Sequence, residues 1–413
     1  MPIQQEGLGL YIHWPWCKKK CPYCDFNSHV AAAAPVKAYV KSLEAQMLAL
    51  ADQLDCKRLL TSVFFGGGTP SLMPPQVVEQ LLTTAEKTFG FAKDIEITLE
   101  ANPTSSEAQK FAQFAAAGVN RMSIGMQSLT LEDLTFLGRT HNVSEAKAAI
   151  NAAQKAVNNV NLDLIYGLPN QNLDQWLKNL ETVFSLGTQH ISCYQLTLEK
   201  NTAFYADWLK GRLTPAPDHI QADFYEQTTA LLLENGYEHY EVSNYAKPNY
   251  ACRHNRNIWR YGSYLGIGAG AHGRIPLPTG LTATRNFKMP EVFIEKAAAP
   301  TLGIFETELL KPTIQAFEAT LLGLRLKEGL PLQRLEVLGQ KPWQAFIDEQ
   351  ALHVLVENGL LTVDLEKQNK QNNPNSSNKQ PAAPSYPTLQ ATEKGFLLLD
   401  SVVEHLIKLP NQN

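Results

Sequence analysis

Three cysteines lie within eight residues near the start of the chain, at Cys17, Cys21 and Cys24, and the whole chain has only six. Thiolates packed so closely would repel one another unless a positive centre lies between them. Thiolate is the ligand that soft metals and iron–sulfur clusters select. Three protein ligands on a four-iron cluster would leave one iron open for chemistry. The alternatives are a structural zinc with His13 or His29 as fourth ligand, or three unrelated buried thiols.

Further groups capable of chemistry follow predicted strands. Three successive glycines in Gly66–Pro70 let the backbone approach a ligand and present its N–H and C=O groups. Glu100 and Gln127 lie at the ends of the next two strands, Asp163 lies on the fifth, and Arg139 lies in a loop. Taken singly, each could be a cap or a turn residue. Because ligands bind at the carboxyl ends of parallel strands, together they indicate a site for a polar, zwitterionic ligand with a ribose.

The elements that must position these groups are six strand–turn–helix units between Gly9 and about Glu234. Such alternation predicts parallel strands with helical crossovers, either as an open doubly wound sheet or as an incomplete barrel. The third helix is expected to begin at Ser105 or Ser106 and to end at Gly118, and the fourth to have Ser144 as its cap. The predicted strands are Gly9–His13, Ser62–Phe65, Ile95–Glu100, Arg121–Gly125, Val160–Ile165 and His190–Leu196.

The pattern changes after this first region, which we place at 1–235. Residues 236–300 form a connector rich in aromatic residues, histidine and glycine, expected to close the barrel. Residues 301–413 look helical past Glu306, with a strand pair at Leu360–Asp364 and Thr388–Ala391, which predicts a winged-helix-like domain. No helix face there is basic, so a packing or docking module is the interpretation. Within it, 366–387 is rich in Asn, Gln, Ser and Pro and is expected to be a disordered insertion.

Composition excludes several other classes of protein. The net charge of −4 gives no reason to expect nucleic-acid binding. No run of about twenty apolar residues exists to span a bilayer, and the first residues do not resemble a signal peptide. Cys56, Cys193 and Cys252 are scattered, unlike a secreted disulfide framework. We therefore expect a cytoplasmic protein, with peripheral contact at the inner face of the membrane left open.

The spacing Cys17-x-x-x-Cys21-x-x-Cys24, followed by Gly-Gly-Gly-Thr-Pro after the next strand, resembles the radical S-adenosylmethionine (SAM) superfamily. The motifs Glu-Ala-Asn-Pro, Gly-x-Gln-Ser and Leu-Gly-Arg-x-His are similar to those of the oxygen-independent coproporphyrinogen III oxidase group and its heme chaperone branch. The resemblance implies a partial (β/α)6 barrel and a 4Fe-4S cluster on the three cysteines. It also implies SAM chelating the open iron, with one-electron reduction yielding a deoxyadenosyl radical.

The same resemblance assigns roles to individual residues of the pocket. Two departures favour the chaperone branch: Phe26 stands where the oxidase has a further cysteine, and only about ten residues precede Tyr11, where the oxidase has a longer segment. The residues implied to contact SAM are Tyr11, Tyr23, Gly67, Gly68, Thr69, Glu100, Gln127, Arg139 and Asp163.

A second motif lies in the connector, at Cys252–Trp259. The stretch resembles the motif His-Asn-x-x-Tyr-Trp of the chaperone branch, but Ile258 stands here in place of the tyrosine. By this resemblance His254 and Trp259 would hold heme, since imidazole can ligate heme iron and an indole can stack on a macrocycle. On the residues alone, both could simply seal the open side of the barrel.

The function that the resemblance implies is that of a heme chaperone, which binds heme and delivers it to heme-dependent proteins, with respiratory proteins at the membrane as candidate acceptors. The first alternative is an enzyme of the coproporphyrinogen dehydrogenase type, which decarboxylates propionates to vinyl groups. The further alternatives are a radical enzyme that acts on an unrelated substrate and, last, a zinc-bearing structural protein.

Overall fold

A computed structural model of the chain describes residues 7–31, 33–54, 58–298, 301–364 and 387–408. The strands are β1 (Leu8–Trp14), β2 (Trp16–Cys17), β3 (His29–Val30), β4 (Leu60–Gly67), β5 (Phe91–Ala101), β6 (Arg121–Gln127), β7 (Asn159–Tyr166), β8 (His190–Gln195), β9 (Glu238–Glu241), β10 (Asn244–Ala246), β11 (Tyr264–Ile267), β12 (His272–Leu277), β13 (Gly280–Asn286), β14 (Ile304–Leu309), β15 (Leu330–Pro331), β16 (Leu361–Asp364) and β17 (Thr388–Ala391).

Helices cover the connections between these strands and make up most of the C-terminal region. They are α1 (Val36–Ala51), α2 (Pro75–Phe89), α3 (Ser105–Ala108), α4 (Phe111–Ala116), α5 (Leu131–Phe136), α6 (Val143–Ala156), α7 (Leu173–Ser185), α8 (Ala203–Leu209), α9 (Asp218–Glu234), α10 (Arg253–Trp259), α11 (Pro290–Ala297), α12 (Pro312–Gly323), α13 (Leu332–Gly339), α14 (Glu349–Glu357), α15 (Glu393–Leu397) and α16 (Leu399–Leu406).

One 12-stranded sheet organises the chain, in the order β14-β13-β12-β11-β1-β4-β5-β6-β7-β8-β10-β9. The six strands predicted from the sequence, β1 and β4 to β8, are confirmed as a parallel series. Short strands buried on both faces, such as β1, are typical of parallel sheets covered by helices. The sheet is mixed, and in the described part of the chain its two ends are not paired into a closed barrel.

The connector contributes strands at both edges of this sheet. Strand β11 adds a further parallel strand beside β1, and β12 to β14 continue antiparallel from it. At the other edge, β10 pairs antiparallel with β8 and β9. The segment Ile304–Leu309 is thus a strand of the large sheet, and helix begins only at Pro312. The boundaries proposed at 235 and 300 stay predictions.

Two helices differ from the sequence prediction for local reasons. The third predicted helix is divided into α3 and α4 and ends at Ala116. Helix α6 is capped by Asn142 and not by Ser144, because the Asn142 side chain accepts from the Glu145 N–H and the Glu145 carboxylate accepts from the Asn142 N–H. This reciprocal capping box satisfies two otherwise unpaired donors.

In its described residues, the C-terminal region packs helices α12 to α16 around a three-stranded sheet in the order β15-β17-β16. The predicted strand pair is present, with β15 as an additional strand. After β17 the chain forms two helices, α15 and α16. The insertion predicted at 366–387 lies, apart from Pro387, outside the described residues. No helix in the described ranges has the length and apolar character needed to cross a membrane.

Candidate functional site

The cysteine loop, defined as residues 17–28, begins where β1 runs into β2. Strands β2 and β3 pair in parallel, with Cys17 opposite Val30, and so close the base of the loop. Inside it, the Cys24 N–H donates to the Cys21 carbonyl at 3.2 Å. The Asn27 amide donates to the Ala269 carbonyl at 2.9 Å and so fastens the loop to the connector. The three cysteines are free thiols and half-buried.

A continuous chain of hydrogen bonds joins the first two cysteines from behind. The Thr69 hydroxyl donates to Cys17 Sγ at 3.4 Å and accepts from Asn102 Nδ2 at 3.2 Å. Asn102 Oδ1 accepts from Arg139 Nη2 at 2.5 Å, and Arg139 Nη1 donates to Cys21 Sγ at 3.5 Å. The ends of three strands or their loops thus position the sulfur atoms. Sequence reasoning missed Asn102, although it lies in the Glu-Ala-Asn-Pro motif.

The three thiols at this loop have the chemistry of iron–sulfur cluster ligands. Burial raises the pKa of the Cys17 and Cys24 thiols, so thiolates here need a positive centre. Within the described ranges, no three His, Cys, Asp or Glu side chains converge as a single-ion site. Both ring nitrogens of His13 are engaged, by the Tyr11 hydroxyl at 2.9 Å and the Asn27 carbonyl at 2.8 Å. His13 is therefore a poor fourth ligand for zinc.

The glycine turn after β4 lies directly against the cysteine loop. A Cβ on Gly68 would stand 2.7 Å from the Trp16 carbonyl oxygen and 3.0 Å from Cys17 Sγ, so only glycine fits without movement. Gly67 has a φ of +113°, and a Cβ there would meet the His13 ring at 2.5 Å. The turn thus brings backbone close to the cysteines, as a backbone contact to a ligand requires.

Two carboxyl groups lie inside the sheet, beside the cavity described below. Glu100 Oε2 accepts from the Gly67 N–H at 3.1 Å, and burial, followed by the charge of Asp163, raises the Glu100 pKa to about 8. Asp163 accepts from Ser123 Oγ at 3.1 Å and from Asn161 Nδ2 at 2.8 Å, and burial raises its pKa. Since desolvation penalises the charged carboxylates, a cationic or polyhydroxyl ligand would be favoured here.

The other predicted SAM residues lie around the cysteine loop. Gln127 ends β6 with a φ of 67°, a left-handed conformation that is uncommon for a residue with a side chain. The Tyr23 ring packs 6.4 Å from Phe204, and burial raises the pKa of its hydroxyl. Arg139 also donates to the Gly125 carbonyl at 3.0 Å. The structure therefore gathers the predicted residues in two neighbouring places, the loop rim and the cavity.

A cavity of about 230 Å³ extends into the sheet below the glycine turn. Its walls are side chains that alternate inward along the strands. Sequence reasoning missed most of them, including Arg121, which is 2% exposed and whose Nε has no hydrogen-bond partner. The signal was present as polar residues at every second position of buried strands. The cavity is lined by Tyr11, Phe64, Glu100, Arg121, Ser123, Asn161, Asp163, Ser192, Tyr194, Asn244, His254, Asn255 and Ile258.

His254 forms part of the cavity wall. It is 2% exposed, its Nδ1 lies 2.9 Å from Ser62 Oγ, and its ring stacks on Phe64 at 5.1 Å. Its Nε2 has no hydrogen-bond partner, and burial lowers its pKa to about 3, so the imidazole is neutral. Trp259 lies five residues on in α10, under the Arg325 guanidinium at 4.5 Å. Because 3.6 residues make a helical turn, the two side chains face different directions.

Helix α10 is held in place from both ends. Glu96 Oε1 accepts from the backbone N–H of Arg253 at 3.0 Å and of His254 at 3.2 Å. At the other end, Arg256 and Arg260 both bind Glu328, with Arg256 Nη2 at 2.7 Å from the carboxylate. These guanidinium groups offset the effect of burial and hold the pKa of Glu328 below its usual value. The helix therefore links the floor of the cavity to the C-terminal region.

Comparison with known proteins places these features in a family. Residues 11–183 match the radical SAM superfamily, and residues 310–367 match the HemN C-terminal domain. The chain is 41% identical to the heme chaperone HemW of Haemophilus influenzae over 80% of this chain and 85% of that protein. It is 43% identical to HemW of Escherichia coli over 71% of this chain and 77% of that protein. The chain belongs to the HemW family.

The chain is also similar to an animal protein in sequence and to the oxidase in fold. The chain is 38% identical to the mitochondrial radical S-adenosyl methionine domain-containing protein 1 of Bos taurus, over 87% of this chain and 83% of that protein. The structure of coproporphyrinogen III oxidase (HemN) from Escherichia coli superposes with a TM-score of 0.77 at 21% identity, covering 97% of this chain and 89% of that one. At that identity the likeness is one of fold alone.

Membership of the HemW family and of the radical SAM superfamily implies a 4Fe-4S cluster and SAM. The three thiols and the glycine turn beside them fit such a cluster. Phe26 follows the last cysteine by two positions and is 57% exposed.

Proposed function

We propose that this chain is a heme chaperone, which binds heme and delivers it to heme-dependent proteins from a radical SAM scaffold. The observation that carries the proposal is its 41% identity, over 80% of the chain, to a protein named heme chaperone HemW. The exposed Phe26 agrees with it, because the resemblance to the oxidase would require a thiol at that position.

Cys17, Cys21 and Cys24 would hold the cluster, and a bound cluster would supply one-electron chemistry at an open iron. Arg139 donates to one of the thiols and would stabilise its thiolate form.

In the same proposal, SAM contacts both the cysteine loop and the cavity. Backbone groups of the glycine turn and the polar side chains around the cavity would bind its amino-acid and ribose groups. The residues proposed for SAM are Tyr11, Tyr23, Gly67, Gly68, Thr69, Glu100, Gln127, Arg139 and Asp163.

His254 has the chemistry of an axial ligand to heme iron. Its Nε2 is unpartnered and its Nδ1 is fixed by Ser62, which is how protein partners orient a metal-binding imidazole. The cavity of about 230 Å³ lies below the range of about 300–1,000 Å³ that ligand pockets occupy. We propose that α10 moves outward to admit heme to His254, and that Trp259 contacts the heme ring after that movement.

The acceptors and the place of delivery follow from the same proposal. Heme-dependent proteins are the partners, with respiratory proteins at the membrane as candidates. The chain would work in the cytoplasm and touch the membrane peripherally.

The experiment that separates the chaperone from the enzyme is an anaerobic turnover assay. The chain is reconstituted with iron and sulfide and supplied with reductant, SAM and coproporphyrinogen III, with HemN as the positive control. We expect no protoporphyrinogen and saturable heme binding. Turnover comparable to that of HemN would overturn the chaperone proposal in favour of the decarboxylating enzyme.

The heme ligand is tested by His254→Ala, with the exposed His353→Ala as matched control. We expect His254→Ala to lose the absorption band of histidine-ligated heme and the control to keep it. Because His254 is buried, thermal unfolding of both variants is measured to verify that they fold. Unchanged heme spectra in a folded His254→Ala variant would exclude His254 as the ligand.

A further inference from the structure

Arg121 carries a buried positive charge inside the sheet. Its side chain is 2% exposed, and its Nε has no hydrogen-bond partner. Among the residues that the structure describes, no carboxylate forms an ion pair with its guanidinium group. A guanidinium stays charged at neutral pH, and a charge taken out of water is costly unless it is paired. A buried group of this kind indicates an anionic ligand.

The polar side chains around Arg121 are engaged with one another. The two ring nitrogens of His190 bond Asn161 Oδ1 at 2.6 Å and the Tyr240 hydroxyl at 2.8 Å. Asn161 Nδ2 donates to Ser123 Oγ at 2.7 Å and to an Asp163 oxygen at 2.8 Å. These hydrogen bonds hold the neighbouring side chains in place and leave the guanidinium as a donor for a ligand.

The position of Arg121 on its strand places it at the inner end of the cavity. It begins β6 and pairs with Thr98, two residues before Glu100 on β5. Because alternate residues of a strand face the same side, Arg121, Ser123 and Glu100 line one cavity, with Arg121 one layer of side chains further from the glycine turn. The cavity therefore has a carboxyl group near the turn and a guanidinium deeper in.

His254 is a second buried group in this cavity that has an atom available to a ligand. Its Nε2 has no hydrogen-bond partner, and its ring lies in the cavity wall. A ligand that satisfies both groups has a metal centre for the imidazole and an anion for the guanidinium. Heme has both, as its iron and its propionate carboxylates. The cavity of about 230 Å³ is too small for the macrocycle, but a propionate arm is only a few atoms long.

We propose that the Arg121 guanidinium binds a propionate carboxylate of heme in this cavity, through the edge formed by Nε and a neighbouring Nη. The inference rests on the proposed function and assigns the part of heme that this residue recognises. A guanidinium edge matches the two oxygens of a carboxylate in a planar, bidentate pair. Recognition is thereby divided: the imidazole of His254 binds the iron, and Arg121 binds the acid group. The contact is non-covalent, so no bond is formed or broken.

The test changes the ligand and the protein separately. Heme and heme dimethyl ester, in which the propionates are esterified, are titrated anaerobically into the reconstituted parent, Arg121→Gln and Arg121→Lys. The lysine variant keeps the charge and removes the planar edge. Arg212→Gln is the matched control, because the Arg212 side chain is 60% exposed and does not line this cavity. Sodium propionate, added as a competitor, separates a heme arm from a free carboxylate.

We expect the parent and the control to bind heme at least about tenfold more tightly than the ester, as a hydrogen-bonded ion pair would give. Arg121→Gln should bind heme as weakly as the ester, and Arg121→Lys should lie between the two. At saturating heme, the absorption band of histidine-ligated heme should remain in Arg121→Gln. Equal binding of heme and ester by the parent would overturn the proposal without any variant. A preference for heme that persists in folded Arg121→Gln would overturn it as well.

Two controls separate recognition of heme from other roles of Arg121. Because an unpaired buried charge is costly, Arg121→Gln should unfold thermally at or above the temperature of the heme-free parent. A lower unfolding temperature, with heme and ester weakened by the same factor, would show a structural role and overturn the proposal. Stabilisation of the parent by propionate, with heme and ester bound equally, would assign the group to a free carboxylate and also overturn it. If the parent bound neither tetrapyrrole saturably, the proposed function itself would fail.

Discussion

Replacement of Glu100 by glutamine should stabilise the cluster-free protein at alkaline pH while weakening its ligand binding. The carboxyl lines the cavity, where burial and then the charge of Asp163 raise its pKa from an ordinary 4.5 to about 8. The hydrogen bond from the Gly67 N–H lowers the Glu100 pKa and so offsets part of this rise. Glutamine keeps an acceptor for that N–H and removes the charge.

The sign and size of the effect follow from linkage. Because the folded chain holds the Glu100 proton more tightly than the unfolded chain, the contribution to stability is complete below pH 4.5 and is lost as pH rises toward about 8. A tenfold difference in proton affinity corresponds to about 1.36 kcal/mol, so the free energy of unfolding falls by at most about 5 kcal/mol between pH 4.5 and about 8. Solvent that enters the cavity screens part of this, and we expect about 2 kcal/mol or more.

The assay is urea unfolding of parent and Glu100→Gln at pH 5 and pH 9, together with SAM binding to the reconstituted proteins. The unfolding midpoint of the variant relative to the parent should be higher at pH 9 than at pH 5, and SAM should bind more weakly. Glu79→Gln on the exposed face of α2 controls for the substitution itself. A difference between variant and parent that is equal at both pH values would refute the placement of Glu100 in a desolvated pocket.

Three further outcomes are expected. Asn102→Ala removes the link between Thr69 and Arg139, the groups that contact two of the cysteines. Since hydrogen bonds to a charged group are worth about 1.5–3 kcal/mol, the variant should lose iron to an added chelator at least about tenfold faster than the parent. Iron loss at the parent rate would contradict this. Gly68→Ala places a Cβ 3.0 Å from Cys17 Sγ and should lower the iron content after anaerobic reconstitution, whereas full content would show that the loop yields. Glu328→Gln loosens α10 and should speed heme uptake in stopped-flow absorption, and an unchanged or slower rate would argue against movement of that helix.

Much of the sheet could be predicted because its parallel strands are buried and regularly alternate with helices. Each predicted strand lies within or close to an observed one, as with Arg121–Gly125 inside β6. The connector could not be resolved in the same way, since β10, β11 and their neighbours are short and are defined by pairing with the edges of a sheet formed by distant residues. The chain past Glu306 was predicted to be helical for the same reason, because the pairing of Ile304–Leu309 with β13 is not visible in local sequence.

The candidate site, too, could be predicted only in part. Cysteine spacing and the placement of groups at strand ends were sufficient to bring Thr69 and Arg139 to the cysteine loop. Asn102 was missed because an amide at a strand end is usually a turn residue, and only the folded loops show that it joins two cysteine contacts. For His254 and Trp259, adjacency in one motif suggested one binding surface, whereas helical geometry turns the two side chains apart.

The central claim, that heme is the cargo of this radical SAM scaffold, is tested most directly by an anaerobic heme titration of the reconstituted chain, with and without SAM. We expect absorption that saturates at an equimolar amount of heme, in a spectrum that depends on His254 and with the iron–sulfur cluster intact. A rise without saturation, equal to that of heme in buffer, would contradict the claim.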